Sequence, residues 1–182
     1  MNVLRKQSGF TLIEVIVVAG IIAVLAGILV PIIFKEIDEA RKTRAAADVK
    51  SISTALMVLR KDTGQWPISD TCSNTVTMLT GTVTPTGAIP SSFAAGWDSS
   101  SQNTFNNYLA TDNNGCWPTT WKGPYMATVN ADPWGRVYVL NANAFLAASG
   151  PVWLLSAGPD GNVDTPANAD TVLGDDVGVR LR

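Results

Sequence analysis

The 182-residue sequence contains no histidine. This absence excludes histidine-based catalytic triads, histidine proton shuttles and zinc sites with histidine ligands. A pair of carboxylates or a serine–lysine arrangement would remain possible for catalysis, but the sequence contains no motif for either. We therefore expect a protein that is not an enzyme. A membrane-tethered enzyme or solute-binding domain is the alternative from another functional class.

Cysteine and charge are also scarce. Only Cys72 and Cys116 are present, far apart in the sequence, so no CxxC redox or zinc motif exists. A disulfide between them is possible in an exported domain and would stabilise it by about 3–4 kcal/mol. Two unpaired thiols are the alternative. Charged residues make up 15% of the chain and the net charge is -2, without a basic stripe, so no nucleic-acid partner is required.

One long apolar run stands out against this background. Residues 10–34 read FTLIEVIVVAGIIAVLAGILVPIIF and carry a single charge, Glu14. About 20 apolar residues are enough to cross a bilayer. The remainder is rich in Asn, Thr, Asp and Gly, which is typical of an exported domain. We therefore predict a single membrane-spanning segment at 10–34.

The short segment before this run has the features of a leader peptide. Residues 1–9 are basic through Arg5 and Lys6, and the small residue Gly9 precedes the apolar run instead of following it. Cleavage at Gly9 would leave the run on the mature protein as an anchor. The positive-inside rule then places the leader in the cytoplasm and the C-terminal domain in the periplasm. An uncleaved signal anchor is the alternative.

The sequence SGFTLIE at residues 8–14 resembles the signal of the type IV pilin and pseudopilin superfamily. The resemblance implies cleavage between Gly9 and Phe10 by a prepilin peptidase, followed by N-methylation of Phe10. It also implies a subunit that an inner-membrane assembly platform adds to a filament. Glu14 matches the glutamate at the fifth mature position of the family, and Pro31 matches a proline that kinks the helix of many pilins.

Glu14 is a candidate assembly contact. A carboxylate within an apolar span is costly and usually marks function. Cleavage would create an amine at Phe10, and the resemblance implies that Glu14 pairs with the Phe10 amine of a neighbouring copy in a homopolymeric filament. Such a pair would select the register of the incoming subunit, since either charge alone is expensive in lipid.

The sequence predicts one helix over residues 11–60, bent at Pro31. Within its amphipathic half, residues 35–62, apolar side chains recur at intervals of three and four and predict a buried stripe. The stripe consists of Ala45, Val49, Ile52, Leu56 and Leu59. Gly64 and Pro67 should end the helix.

Residues 63–182 should form a globular domain. Runs at 125–129, 136–140 and 152–156 are rich in β-branched and aromatic residues and predict three strands of a small antiparallel sheet. A sheet packed on the helix stripe gives an α+β, pilin-like fold. We also expect a short helix near residues 101–110, and aromatic side chains that pack in the core instead of forming a ligand box.

Three motifs in the C-terminal third follow one another in a familiar order. They are WKGPY at 121–125, DPWG at 132–135 and SAGPDG at 156–161. This series resembles the major pseudopilin of type II secretion systems, which implies a periplasmic pseudopilus, built with other pseudopilins, that drives protein export. A type IV pilus subunit for adhesion, motility or DNA uptake is the alternative, and the two cysteines favour it.

The same resemblance implies a calcium site in the acidic C-terminal loop. Asp160 matches one family ligand, and Asp175 and Asp176 match a late acidic pair, with backbone carbonyls near Ala157 and Asn162 completing the shell. Oxygen ligands of this kind suit calcium. Two further carboxylates, of Asp164 and Asp170, have no family counterpart. The alternative is a solvated acidic loop without metal, and the EF-hand pattern is absent.

Overall fold

The computed structural model describes residues 9–70, 74–81, 87–112 and 115–182. The chain divides after Ala40 into two compact units. Helix α1, Leu12–Thr63, runs through both units and continues through Pro31. Its N-terminal part has the length and apolar composition needed to cross a membrane, with a mean hydropathy of 3.0. The predicted long helix is therefore confirmed.

The end of α1 lies three residues beyond the predicted one, at Thr63. Gly64 follows it with a φ of +74° and donates its N–H to the Arg60 carbonyl at 2.8 Å. A left-handed residue after the last turn is a common helix stop, and glycine adopts this conformation without a steric penalty. Gly64 is thus the stop signal that the sequence predicts.

The described residues of the second unit form nine short strands. They are β1 (Ser69–Asp70), β2 (Asn74–Thr75), β3 (Met78–Thr80), β4 (Ser92–Phe93), β5 (Gln102–Thr104), β6 (Val139–Leu140), β7 (Trp153–Ser156), β8 (Asn162–Val163) and β9 (Val177–Arg180). A short helix, α2 (Asn106–Leu109), follows β5, and a 3-10 helix covers Ala142–Leu146.

The main sheet has five strands in the order β5-β3-β6-β7-β9. Its pairs are antiparallel except β3 with β5, which run parallel. Two small pairs lie outside it: β1 with β2, antiparallel, and β4 with β8, parallel. The predicted α+β class is confirmed, with a sheet that is mostly antiparallel.

Both faces of the main sheet are covered. Side chains alternate along a strand, so Leu140 and Leu154 join the core under α1 while Val139 and Leu155 point to a second core. All five residues of the predicted helix stripe are buried, and all except Ala45 belong to the first core. The second core includes Val163 of the acidic loop, which we define as residues 157–176.

Some local predictions are wrong. Residues 125–129 form no strand; Tyr125 and Met126 instead donate their N–H groups to the carbonyl of Leu109, at 2.7 and 3.2 Å. The run at 136–140 contributes only Val139–Leu140 to the sheet, and the run at 152–156 contributes Trp153–Ser156. The helix predicted at 101–110 is only partly correct. Gln102–Thr104 forms a strand that pairs with β3, and helix α2 begins at Asn106.

Candidate functional sites

The start of α1 is a capping box. Glu14 Oε2 accepts hydrogen bonds from the Thr11 N–H and the Thr11 hydroxyl, both at 2.8 Å, and the Glu14 N–H donates to Thr11 Oγ1 at 3.4 Å. This reciprocal arrangement satisfies free N–H groups at a helix start. Its signal in the sequence is the T-x-x-E spacing within FTLIE, which the predicted helix start at residue 11 does not take into account.

The predicted processing site lies just before this box. Gly9 and Phe10 precede the first helical residue, and Phe10 is 89% exposed. An exposed, non-helical peptide bond is accessible to a peptidase. Cleavage between Gly9 and Phe10 and methylation of Phe10 stay predictions, and leader residues 1–8 lie outside the described part of the chain.

Three carboxylates converge in the acidic loop. Oxygen atoms of Asp160, Asp164 and Asp175 all lie within 4.8 Å of one another. Two of them, Asp160 and Asp175, belong to the predicted ligand set. Asp164 joins them although the family resemblance gave it no role. We refer to these three residues as the carboxylate cluster.

Asp176, the third predicted carboxylate ligand, holds the turn that carries Asp164. Its Oδ2 accepts the N–H groups of Asp164 at 2.9 Å and Thr165 at 2.8 Å. The residue is 8% exposed, and this burial raises the pKa of its carboxyl group. Among the described residues, Asp176 Oδ1 has no hydrogen-bond partner. Such an orphaned oxygen is costly unless another ligand satisfies it.

A second orphaned oxygen belongs to the cluster itself. Asp175 Oδ2 accepts the Asp160 N–H at 3.1 Å, whereas Asp175 Oδ1 is buried without a partner in the described part of the chain. Asp160 accepts two bonds from Asn162, one from its backbone N–H at 2.8 Å and one from its side-chain amide at 2.9 Å. The bonds from Asn162 hold the pKa of the Asp160 carboxyl below its usual value.

Two glycines allow the cluster to close. A Cβ on Gly158 would lie 3.0 Å from the Asp175 carboxyl carbon, and one on Gly174 would lie 2.7 Å from the Asp164 Cβ. Both glycines also have positive φ angles, +61° and +63°. Of the other predicted ligands, Ala157 is fully buried, and its carbonyl accepts the Gly161 N–H at 3.1 Å.

Asp170 does not join the cluster. It forms an exposed ion pair with Arg180 at 3.3 Å. Exposed pairs of this kind contribute little to stability. Of the five carboxylates in the acidic loop, three converge in the cluster, Asp176 holds the turn beside it, and Asp170 lies outside in an exposed ion pair.

The DPWG motif anchors the start of the acidic loop. The buried Asp132 accepts the N–H groups of Trp134 at 3.0 Å and Arg136 at 2.8 Å, which closes the turn. Its second oxygen accepts the Ser156 hydroxyl at 2.6 Å, and Ser156 Oγ in turn accepts the Gly158 N–H at 3.3 Å. Asp132 therefore connects two motifs that the sequence shows only as separate turns.

The WKGPY motif is also structural. The Trp121 indole N–H donates to the Tyr108 carbonyl at 2.9 Å. The Tyr125 hydroxyl donates to Asp62 Oδ2 at 3.2 Å, near the end of α1. These bonds attach the loop to α2 and to the C-terminal end of α1. Aromatic residues of the middle segment pack in the core as predicted, with Phe105, Tyr108 and Trp117 all buried.

The predicted disulfide stays untested. Cys116 is half-buried and packs against the main core. Cys72 lies outside the described residues.

Comparisons with known proteins agree with the resemblances in the sequence. Residues 4–30 match the prokaryotic N-terminal methylation motif, and residues 99–174 match the family described as type II secretion system (T2SS), protein G. The chain is 31% identical to the type II secretion system core protein G of Escherichia coli K12, an alignment that covers 91% of this chain and 90% of the relative.

Further relatives bear the same name, among them two that align over most of this chain. The protein from Pseudomonas aeruginosa is 29% identical and aligns over 86% of this chain and 87% of its own length. The protein from Klebsiella pneumoniae is 27% identical over 87% of this chain and 89% of its own length. The comparison with solved structures found no match.

Proposed function

This chain belongs to the family of the type II secretion system core protein G, and from this we propose that it is a structural subunit of a type II secretion pseudopilus. It polymerises through its N-terminal helix, and growth of the filament drives protein export. The observation that carries the proposal is the 31% identity over 91% of the chain. The relatives' shared name favours the pseudopilus over a surface pilus for adhesion, motility or DNA uptake.

The apolar part of α1 serves as a membrane anchor before assembly and as filament core afterwards. Apolar side chains between Leu12 and Phe34 are about half or more exposed in the single chain, with Leu12 at 76% and Phe34 at 64%. Exposure of this extent in a soluble protein would be unfavourable, so lipid or other helices must cover the segment. We place the protein in the bacterial inner membrane, with a single span and a periplasmic C-terminal domain.

Partners follow from this placement. The subunit associates with copies of itself, with other pseudopilins and with the inner-membrane assembly platform. A prepilin peptidase cleaves it between Gly9 and Phe10, and Phe10 is then methylated. No step of this function requires the protein to be an enzyme.

Glu14 is the proposed assembly contact. In the single chain its carboxylate already accepts two bonds from Thr11. A carboxylate has about four lone-pair sites, so it can also accept a bond from the amine of Phe10 on a neighbouring copy. Recognition of this amine would align each new subunit at the same depth in the membrane.

The test of this role replaces Glu14 with leucine. We expect Glu14→Leu to insert normally into the membrane but to abolish or strongly reduce filament formation and secretion, because it lacks the acceptor for the amine. Membrane fractionation, filament yield after overproduction and the amount of secreted substrate are the measurements. Glu39→Gln, which removes a carboxylate beyond the predicted span, is the matched control. Normal filament yield from Glu14→Leu would contradict the assembly role.

We further propose that the acidic loop binds calcium. Support comes from the cluster of Asp160, Asp164 and Asp175 and from the orphaned oxygens of Asp175 and Asp176. All the donor atoms are oxygens, which suits a hard cation that takes six to eight oxygen ligands. Asp164 is added here to the ligand set, with backbone carbonyls near Ala157 and Asn162. Bound calcium would supply the positive charge that allows these carboxylates to remain close together.

A further inference from the structure

A short segment of the middle region lies directly on the acidic loop. We call residues 91–97 the cover segment. Its strand β4 pairs in parallel with β8, with Ser92 opposite Asn162 and Phe93 opposite Val163. Backbone bonds continue on either side of the pair: the Ser91 N–H donates to Gly161 at 2.8 Å, and the Ala167 N–H donates to Ala95 at 3.0 Å.

The contact between the two segments is also apolar. Phe93 and Trp97, with ring centroids 5.9 Å apart, pack against the core that contains the buried Val163. Gly96 approaches so closely that a Cβ there would lie 3.1 Å from the Ala167 Cβ. The cover segment therefore contacts the acidic loop along most of residues 91–97. Its own conformation depends on the position of that loop.

Two side chains of the cover segment reach the immediate neighbours of the carboxylate cluster. The Ser92 hydroxyl donates to Asn162 Oδ1 at 2.9 Å, and the Asn162 amide donates to Asp160 Oδ2 at 2.9 Å. On the other side, the Trp97 indole N–H donates to the Thr165 carbonyl at 2.8 Å, one residue after Asp164. The cover segment thus positions the backbone next to two of the three clustered carboxylates.

The cover segment precedes the part of the chain that matches the protein G family profile, which begins at residue 99. Its contacts with the acidic loop are therefore made by residues outside that match.

We propose that the cover segment is part of the calcium site, with Ser92 and Trp97 as positioning residues that set the affinity for the ion. This inference rests on the calcium site proposed above. The orphaned oxygen of Asp175, which belongs to the carboxylate cluster, and that of the buried neighbouring residue Asp176 are the independent sign of a ligand. Coupling between calcium binding and the packing of the cover segment is reciprocal. Bound calcium must therefore also stabilise the contact of the cover segment with the acidic loop.

The first experiment measures calcium affinity by titration calorimetry on the full chain in a non-ionic detergent. Trp97→Phe keeps an aromatic ring but removes the hydrogen-bond donor. We expect it to weaken calcium binding by about 2- to 10-fold, the effect of one hydrogen bond. Ser92→Ala should also weaken calcium binding, because it removes the hydroxyl that donates to Asn162 Oδ1 and holds the Asn162 side chain in place.

The matched control is Trp121→Phe. It removes an indole-to-carbonyl bond of similar length, 2.9 Å, from a loop outside the cover segment and the acidic loop. We expect its calcium affinity to equal that of the wild type. Equal affinities for Trp97→Phe, Ser92→Ala and the wild type would overturn the coupling. A similar loss in Trp121→Phe would do the same, because it would indicate a general loss of stability.

The second experiment measures amide hydrogen exchange with calcium and with a chelator. The amides of Ala94 and Ala167 both donate across the contact, Ala94 to Val163 at 2.8 Å. We expect their exchange to be at least about tenfold faster in chelator, while Leu154 and Leu155 in the central strand β7 change little. If calcium binds but the Ala94 and Ala167 amides exchange equally fast with calcium and with chelator, the coupling is overturned and the calcium site is not. Absence of calcium binding by the wild type would overturn both the coupling and the site, but not the role in the pseudopilus.

Discussion

The bond between Tyr138 and Asp48 connects the main sheet to α1. The Tyr138 hydroxyl donates to Asp48 Oδ2 at 2.9 Å, and the tyrosine is 1% exposed. Burial, followed by the nearby Asp48 carboxylate, raises the pKa of Tyr138 well above its usual value. The folded protein therefore keeps this tyrosine protonated at a pH at which an unfolded chain ionises it.

This pair predicts a loss of stability in alkali. The unfolded tyrosine loses its proton near pH 10 while the folded one retains it, so the free energy of unfolding decreases as the pH rises above about 10. Denaturant unfolding of the wild type and Tyr138→Phe between pH 8 and about 11 measures the effect. We expect a shallower decrease for Tyr138→Phe. Equal slopes for the two proteins would contradict the raised pKa.

The sequence could reveal only part of the candidate site, because some of its residues are positioned by contacts that form in the folded chain. Asp160 and Asp175 could be selected because they match a family pattern. Asp164 could not, because contacts with residues distant in the sequence position it: Asp176 accepts its N–H, and Gly174 lies against its side chain. Asp176 matches the same pattern, but nothing in the sequence indicates that one of its oxygens accepts the Asp164 backbone N–H.

At the scale of elements, α1 was the most predictable part of the fold. Its second half shows an apolar repeat of three and four residues, and burial of a continuous stripe on one face determines its packing. Short strands carry much less information. The run at 125–129 has strand-like composition, yet its Tyr125 and Met126 N–H groups donate to the carbonyl of Leu109 at the end of α2 and not to a neighbouring strand. Strand β9 lies directly after the acidic pair and contains Gly178, so its composition did not indicate a strand.

The helix stripe gives a prediction about stability. Leu56 is fully buried, so Leu56→Ala leaves a cavity, and we expect it to lower the free energy of unfolding by about 2–5 kcal/mol. Met57, the next residue, is 41% exposed, and Met57→Ala should cost less than about 1 kcal/mol. Chemical denaturation of the unassembled subunit in detergent measures both. Similar losses for the two variants would contradict the packing of the stripe.

For the whole molecule, the proposed calcium site in the acidic loop would link metal binding to stability. Val163 of the loop is part of the second core. The start of the loop is bonded to the end of strand β7, because the Gly158 N–H donates to the Ser156 hydroxyl, which in turn donates to Asp132. A ligand that binds only the folded state stabilises it, by about 2.7 kcal/mol at a concentration 100 times the dissociation constant. Calcium should therefore stabilise the second unit as a whole and not only its loop.

We expect calcium to raise the melting temperature of the full chain in detergent by about 5–10 °C at such an excess, compared with chelator. Asp175→Asn should abolish most of the rise, since it removes a charged ligand of the cluster. Asp170→Asn is the matched control, because Asp170 is exposed and lies outside the cluster. A wild-type melting temperature that does not change in millimolar calcium would count against the site.

The capping box at the start of α1 bears on whether polymerisation can be reversed. In the proposed assembly, the Glu14 carboxylate would enter the filament already bonded to Thr11, so a new bond to a neighbour's amine would add to or replace bonds that exist in the free subunit. Because the Thr11 bonds already stabilise the carboxylate in the free subunit, pairing with the amine yields less net free energy than it would for a carboxylate without donors. A subunit that leaves the filament end recovers its own bonds at once, so we expect it to return to the membrane intact. Disassembled subunits would then form a reserve for the next round of growth.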